Sequence, residues 1–213
     1  MNIKQYKKLG VVVAMESEAA PFIKPLGLAK LDGKPFSVYK AKDLYFIVCG
    51  CGTLPAALAA EYLVVNCGCD CLINFGVCGY TGDENIHGRL FAVNKVYKRD
   101  VDCRTLGYAR YAYPKDADHL EPVTDEKLPT ITLFTSDEFI GPESDVPKGV
   151  GVDMEGYAVA YAARHFCVDC YLYKSIADTT DENVDRSNFD NKLVGAIYGM
   201  EDYIKALLSE YLA

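Results

Sequence analysis

The chain has 213 residues, 50% of them hydrophobic and 24% charged, with a formal net charge of −8. This composition is typical of a globular protein, and the length suits one domain spanning residues 1–213. The negative charge argues against nucleic acid or an anionic membrane as the main partner, because both attract basic patches.

The first residues carry no secretion signal. Residues 1–9 are polar and Lys-rich, and the apolar run at 11–14 is too short for a signal peptide. No apolar run approaches the length of a membrane span. We therefore expect a cytoplasmic protein with reduced cysteines.

Cysteines occur at alternate positions in two places. Cys67, Cys69 and Cys71 form one set, and Cys49 and Cys51 form the other. The triplet runs into an apolar segment, and its alternate spacing is not the Cys-x-x-Cys spacing typical of zinc sites. These cysteines are predicted to be small buried hydrophobes, and neither a metal nor another cofactor is predicted.

The N-terminal half predicts alternating strands and helices. Residues 11–14 predict a buried strand, and Ser17 is placed to cap a helix that tolerates Pro21 in its first turn. Two paired strands follow at 37–40 and 44–49. Next come a glycine turn at 50–52, a helix at 54–66, and a strand at 71–75 that is predicted to end in a second glycine turn at 76–79.

The C-terminal half continues the pattern around an irregular segment at 108–127. Further strands are predicted at 90–97, 131–134 and 170–176, and helices at 155–165 and 188–212. The last helix carries an apolar stripe that is predicted to pack in the core or an interface: Phe189, Leu193, Ile197, Met200, Ile204, Leu207 and Tyr211. Strand, glycine turn and helix in succession predict an α/β fold.

Three carboxylates follow apolar runs: Glu18, Glu155 and Asp178. The helix dipole could account for each one separately, but not for all three at the carboxyl ends of predicted strands, where α/β sheets bind ligands. Three carboxylates with few cations suit cleavage of an N-glycosidic bond, because its transition state is oxocarbenium-like. One carboxyl group would protonate the leaving base and another would activate water.

Five motifs occur in the order AMESE (14–18), NFGVCG (74–79), SDEFI (136–140), VDME (152–155) and SIAD (175–178). In this order they resemble the nucleoside phosphorylase/nucleosidase superfamily, and most closely the methylthioadenosine/S-adenosylhomocysteine nucleosidases. The resemblance implies a single-domain, three-layer α/β/α fold with a central mixed, partly barrel-like sheet. It also implies a homodimer and a small-molecule nucleoside substrate, 5′-methylthioadenosine, S-adenosylhomocysteine or a related 5′-modified adenosine.

The same resemblance implies roles for individual residues. Glu18 would activate water, Asp178 would protonate N7 of the base, and Met154 and Glu155 would hold the ribose. The base would also be bound by Phe139 and Ile140. The pocket for the 5′-substituent would be formed partly across the dimer interface. Its lining residues would be Met15, Cys51, Cys103, Leu106, Tyr108 and Phe189. The nucleophile would lie near Gly52, Val77, Cys78, Gly79 and Lys174.

Some positions depart from the family pattern. The nucleosidases have Ser where Val77 stands and Arg where Lys174 stands. Leu106 replaces an aromatic residue, Cys103 replaces an aliphatic one, and the segment 108–139 is shorter. The histidines at 87, 119 and 165 match no catalytic position of the family and are predicted to be surface or structural residues.

The nucleophile and the substrate stay open at this point. Phosphorylases hold phosphate with arginines and a Ser or Thr in the second glycine turn. This chain has Val77 there and no arginine before Arg89, which favours water. The alternatives are a phosphate-dependent purine or uridine nucleoside phosphorylase, a futalosine-type hydrolase and a non-catalytic nucleoside-binding protein. The hydrolase is included because Gly156 and Tyr157, which follow Met154 and Glu155, resemble the sequence of futalosine-type hydrolases at this point.

Overall fold

A mixed β-sheet runs through the computed structural model, which describes residues 2–31, 36–141, 144–179 and 186–213, with the backbone alone at 186–190. The described strands are β1 (Leu9–Val13), β2 (Ala29–Lys30), β3 (Ser37–Ala41), β4 (Leu44–Val48), β5 (Cys71–Tyr80), β6 (Leu90–Lys98), β7 (Thr130–Thr135), β8 (Gly151–Asp153) and β9 (Asp169–Thr179). The helices are α1 (Glu16–Ile23), α2 (Thr53–Val65), α3 (Gly156–His165) and α4 (Arg186–Leu212). Short 3-10 turns lie at Ile3–Gln5 and Arg104–Leu106.

Five of these strands close into a ring. The strand order is β2-β3-β4-β1-β5-β8-β7-β6-β9, and β9 also pairs with β5. Strands β1, β4, β5 and β9 run parallel, whereas β8 runs antiparallel to β5 and β6 antiparallel to β9. The mixed, partly barrel-like sheet predicted above is confirmed.

Helices cover both faces of the sheet. On one face, Phe22 of α1 and Met200 of α4 share a buried apolar cluster with Phe75 of β5. On the other face, Leu63 of α2 and Val159 of α3 share a second cluster with Val12. These two cores give the predicted three layers, and apolar burial on this scale is the main stabilising contribution to the fold.

The prediction of a second glycine turn at 76–79 is wrong. Strand β5 continues through these residues to Tyr80, paired with β9, and its register shifts only between Cys78 and Gly79. Gly76 is instead required by a close approach, because a Cβ there would lie 2.5 Å from Glu18 Oε1. The glycine makes room for a carboxylate. The turn at 50–52 is confirmed, with Gly50 and Gly52 at φ of 91° and 109°.

The start of α1 also differs from the prediction. The helix begins at Glu16 with Met15 as its N-cap, so Ser17 lies in the first turn and Pro21 in the second. The carboxylate of Glu18 reaches back to accept the N–H of Met15 at 3.0 Å. A side-chain acceptor inside the helix therefore replaces the predicted serine cap.

Several packing predictions can be compared with the structure. In α4, Leu193, Ile197, Met200, Ile204 and Leu207 are buried, as the apolar stripe predicts, and Tyr211 is half-buried. The side chain of Phe189 lies outside the described residues.

The cysteines follow their prediction only in part. All nine are free thiols. Cys69 and Cys71 are buried as predicted, but Cys67 and Cys49 are half-buried and Cys51 is exposed, because the turn that carries Cys51 faces a cleft. No helix in the described part of the chain is long and apolar enough to cross a membrane.

Candidate active site

A cleft of about 230 Å³ opens beside the carboxyl-terminal halves of β5 and β9 and the residues that follow β1, β7 and β8. It brings together the three carboxylates singled out in the sequence, Glu18, Glu155 and Asp178. The full lining is Ala14, Met15, Glu18, Cys51, Val77, Cys78, Gly79, Glu138, Phe139, Ile140, Gly141, Val152, Asp153, Met154, Glu155, Ala177, Asp178 and Thr179. A concave, largely apolar cleft with a few polar groups is the usual form of a small-molecule site.

The carboxylates reach the cleft by a different route from the one predicted. Glu18 follows β1 and Glu155 follows β8, but Asp178 lies within β9, one residue before its end. Because β8 is antiparallel to β5, no single parallel edge carries all three side chains. They meet where the short strand β8 ends and leaves the side of β5 open.

Glu18 is buried and fixed by two backbone donors. Its Oε1 accepts the N–H of Val77 at 2.9 Å, and its Oε2 accepts the N–H of Met15 at 3.0 Å. Burial raises the pKa of Glu18 above its ordinary value, while these N–H groups and the charge of Lys174 act in the opposite direction. The result is a carboxylate with a fixed position and increased basicity.

Glu155 is the N-cap residue of α3, and its side chain crosses to the glycine turn before α2. Its Oε1 accepts the N–H of Gly52 at 2.9 Å. Burial and the nearby charge of Asp153 raise the pKa of Glu155 to about 7, against the effect of Lys174 and the Gly52 N–H. Gly52 therefore contributes through its backbone, without lining the cleft itself.

Asp178 forms the opposite wall of the cleft and is partly buried. Burial raises its pKa, and the charges of Lys192 and His87 lower it. His87 is exposed, contacts the carbonyl of Lys192 through Nε2 at 3.1 Å, and packs its ring against Gly195. A carboxyl group with a raised pKa retains its proton to higher pH, which suits a proton donor.

Lys174 lies beneath the cleft and does not line it. Its Nζ is 2.8 Å from Asp153 Oδ2, and both side chains are 1% exposed. Asp153 was not singled out in the sequence, where it stands two residues before Glu155 like an ordinary polar residue. The pairing with Lys174 joins two strands that α3 separates in the chain and that each pair with β5, and no local pattern indicates it.

The segment after β7 forms the rim of the cleft. Ile140 is buried, whereas the ring of Phe139 is 63% exposed and lines the opening. Asp137 anchors this segment, because it accepts hydrogen bonds from the N–H and hydroxyl of Thr53 at the start of α2. An exposed aromatic ring at the rim is available to stack on a planar ligand.

Three residues expected in the 5′ pocket do not line the cleft of their own chain. Cys103, Leu106 and Tyr108 lie in or beside the 3-10 turn after β6, and Leu106 is 70% exposed. The side chain of Phe189 is outside the described residues. Met15 and Cys51, the other two expected there, do line the cleft, as do Met154, Val77, Cys78 and Gly79.

Comparison with known proteins places this fold and cleft in a family. The model of the phosphorylase superfamily matches residues 8–133, so the chain belongs to the phosphorylase superfamily. The 5′-methylthioadenosine/S-adenosylhomocysteine nucleosidase of Buchnera aphidicola subsp. Schizaphis graminum is 25% identical over 95% of this chain and 97% of that protein. The aminodeoxyfutalosine nucleosidase of Helicobacter pylori (strain ATCC 700392 / 26695) is 24% identical over 96% of this chain and 99% of that protein.

A solved structure agrees with the fold. The 5′-methylthioadenosine/S-adenosylhomocysteine nucleosidase of Colwellia psychrerythraea, crystallised with adenine, superimposes with a TM-score of 0.85 at 22% identity. The superposition covers 97% of this chain and 96% of that one. At this identity the likeness shows a shared fold.

Proposed function

We propose that this chain is an N-glycosyl hydrolase that cleaves a purine nucleoside, 5′-methylthioadenosine, S-adenosylhomocysteine or a related 5′-modified adenosine, as a single-domain enzyme. The observation that carries the proposal is the meeting of Glu18, Glu155 and Asp178 around one apolar cleft. The names of the relatives support hydrolysis of a nucleoside in general.

Glu18 is the general base in this proposal. It takes a proton from a water molecule while the water oxygen bonds to C1′ of the ribose. Both of its oxygens are held by backbone N–H groups, so its position does not depend on a mobile side chain. Its burial favours proton uptake at a pH closer to neutral than for an exposed glutamate.

Asp178 is the general acid on the other side of the bond. As the bond from C1′ to N9 breaks, its electron pair passes to the base, and Asp178 gives a proton to N7. Phe139 stacks on the purine and the backbone of Ile140 reads its edge. The raised pKa of Asp178 increases the protonated fraction that this step requires.

Glu155 binds the 2′- and 3′-hydroxyls of the ribose, and Met154 packs beneath the sugar. The negative charges of Glu155 and Glu18 also favour the positive charge that develops on the ribose in the transition state.

Water is favoured over phosphate because of the charges around the cleft. Within the described residues, no Lys, Arg or His side chain lines it. Lys174 is close but paired with Asp153. Val77 offers an apolar side chain where a phosphate site would place a hydroxyl group, and a phosphate dianion beside Glu18 would be repelled.

A homodimer completes the site in this proposal. An apolar surface on α2, formed by Leu54, Leu58 and Val65, is more than half exposed, and Tyr161 of α3 is also exposed. Exposed apolar surfaces of this kind mark contacts between proteins. Cys103, Leu106 and Tyr108 do not line their own cleft and are positioned by the dimer at the 5′ pocket of the partner subunit.

The experiment is a panel of nucleosides incubated with and without phosphate, with the released base followed by chromatography. We expect adenine release from 5′-methylthioadenosine or S-adenosylhomocysteine at a rate independent of phosphate. Formation of ribose 1-phosphate would establish a phosphorylase instead. Binding without release of base from any nucleoside would establish a non-catalytic protein.

A futalosine-type hydrolase is a second candidate, because relatives named aminodeoxyfutalosine nucleosidase cover the chain as completely as the methylthioadenosine enzymes do. Aminodeoxyfutalosine is therefore included in the panel. A higher kcat/KM for it than for 5′-methylthioadenosine would assign the chain to that activity.

A further inference from the structure

The buried ion pair between Asp153 and Lys174 has no direct part in the chemistry proposed above. Its two side chains are almost completely removed from solvent, 2.8 Å apart. A buried ion pair contributes little net stability compared with apolar residues of the same size, since both charges lose their hydration. The contacts of each partner point to a different purpose.

Asp153 organises the start of α3. Its Oδ2 accepts the N–H of Gly156 at 2.7 Å and the N–H of Glu155 at 3.3 Å. Its Oδ1 accepts the hydroxyl of Thr135 at 2.6 Å, and Thr135 Oγ1 in turn accepts the N–H of Tyr157 at 2.9 Å. These N–H groups lack partners within the helix, so Asp153 fixes the turn from which Glu155 projects.

Lys174 organises the charges beneath the cleft. In the β5–β9 pairing it stands opposite Gly76, the residue over which the carboxylate of Glu18 lies. Its charge acts on both Glu18 and Glu155, lowering the pKa of each against the effect of burial. One cation thus acts on two carboxylates of the same cleft.

We propose that Asp153 and Lys174 form a positioning pair, in which Asp153 holds the helix start that directs Glu155 and Lys174 supplies the positive charge that allows Glu155 and Glu18 to be ionised together. This inference rests on the roles of Glu155 and Glu18 in the proposed function. Without the cation, two carboxylates in one apolar cleft would compete for ionisation.

The test is the pKa of Glu155, which depends on the titratable and charged groups that face its carboxylate. They come from α1, from the turn before α2, from β8 and from β9, and they are Glu18, Cys49, Cys51, Asp153 and Lys174. Among them, Lys174 is the cation, and Asp153 is the carboxylate that acts most strongly on Glu155.

Two single variants should move the titration in opposite directions. In Lys174→Met the cation is lost, and the pKa of Glu155 should rise by about one pH unit or more. In Asp153→Asn a negative charge is lost, and the pKa should fall. Asp125→Asn is the matched control, because Asp125 is a buried carboxylate bound by Tyr173 and Tyr203 on the opposite face of β9. It should leave the titration of Glu155 unchanged.

The measurement is infrared titration of the carboxyl bands of glutamate-labelled, ligand-free protein, with Glu155→Gln to assign the Glu155 band. The pH dependence of kcat/KM is followed in parallel. A higher titration midpoint of the Glu155 band in Lys174→Met and a lower one in Asp153→Asn support the positioning pair. An unchanged midpoint in both folded variants overturns it. If the wild-type protein releases no base while the bands move as stated, the proposed function fails and the pair stands.

If a single variant does not fold, the double variant Asp153→Asn with Lys174→Met provides a second test. It should fold because both charges of the buried pair are removed together and neither is left unpaired. We expect it to raise KM roughly tenfold or more with a smaller effect on kcat, since Glu155 is no longer held in position. Lys174→Arg, which keeps the charge, should retain most of the activity. An unchanged KM in the double variant overturns the proposal.

Discussion

Glu18 lies over Gly76 so closely that a Cβ at residue 76 would stand 2.5 Å from Glu18 Oε1. The same carboxylate oxygen accepts the N–H of Val77, the next residue of β5. The proposed general base and the strand beside it therefore depend on each other, since the bare backbone of Gly76 lets the carboxylate reach its donor.

Gly76→Ala should displace Glu18 and lower kcat about 100-fold, because a misplacement of about 1 Å in a catalytic group has an effect of that size. Gly76 has no positive φ, so the strand itself can accept alanine. The rate of base release checks the prediction, and near-normal turnover in Gly76→Ala would show that Glu18 is not positioned in this way.

Glu18→Gln should lower turnover by about 100-fold or more, because glutamine cannot take a proton from water. Circular dichroism should show an intact fold, since the amide is nearly the same size as the carboxylate. Nucleoside binding should persist, and equilibrium dialysis against the substrate checks it. Full activity in this variant would exclude Glu18 as the base.

Asp178→Asn should show a loss of similar size, about 100-fold or more, for a different reason, because asparagine cannot protonate the leaving base. A nucleoside whose base departs without protonation should therefore lose less rate than adenosine derivatives do. Comparing the two substrates in wild-type and variant protein checks this. An equal loss for both would contradict the role of Asp178 as proton donor.

The pKa of Glu155 predicts a pH-dependent stability. Its value is raised from 4.5 to about 7, so between those limits the folded protein holds a proton that the unfolded chain has lost. Unfolding releases that proton, and the free energy of unfolding should fall as pH rises from about 4.5 to about 7, by about 3 kcal/mol at most. Urea unfolding over this pH range checks it.

The matched variant for this experiment is Glu155→Gln, which removes the titrating group. The difference in unfolding free energy between wild type and variant should change over the same pH window and be flat above it. A difference independent of pH would contradict the raised pKa.

Leu58→Glu should disrupt the proposed dimer, because Leu58 is 58% exposed at the centre of the α2 apolar surface and a charge there would be desolvated at the interface. Val194→Glu on α4 is the control, since Val194 is also 50% exposed. Sedimentation equilibrium should show a monomer for Leu58→Glu and a dimer for Val194→Glu. A wild-type monomer would remove the basis for a shared 5′ pocket.

The carboxylates of the site could be predicted from the sequence because each stands in a short local motif. The alternation of strands and helices was predictable for a related reason, since apolar periodicity is local. The C-terminal end of β5 could not be predicted, because Gly76 and Gly79 look like turn residues and only the structure shows that Gly76 makes room for Glu18. A glycine needed for a contact and a glycine needed for a turn have the same local sequence signal.

The pairing of Asp153 with Lys174 was even less accessible from the sequence than the end of β5. It depends on the ring of strands that brings β8 and β9 against β5, and ring closure is decided by long-range pairing. The prediction of Ser17 as the helix cap was wrong for a local reason. The helix begins at Glu16, and the side chain of Glu18 accepts the N–H of Met15 at the helix start.

Closure of the ring has a consequence for how the protein is made. Cys71 of β5 pairs with Asp169 of β9, almost half the length of the chain away, and Asp178 lies on the same late strand. During synthesis the N-terminal strands and α1 can fold early, but the wall that carries Asp178 is absent until β9 leaves the ribosome. Long-range pairings of this kind form slowly. The cleft is therefore completed only after β9 is made, and a ligand bound there can stabilise only molecules in which β9 has paired with β5.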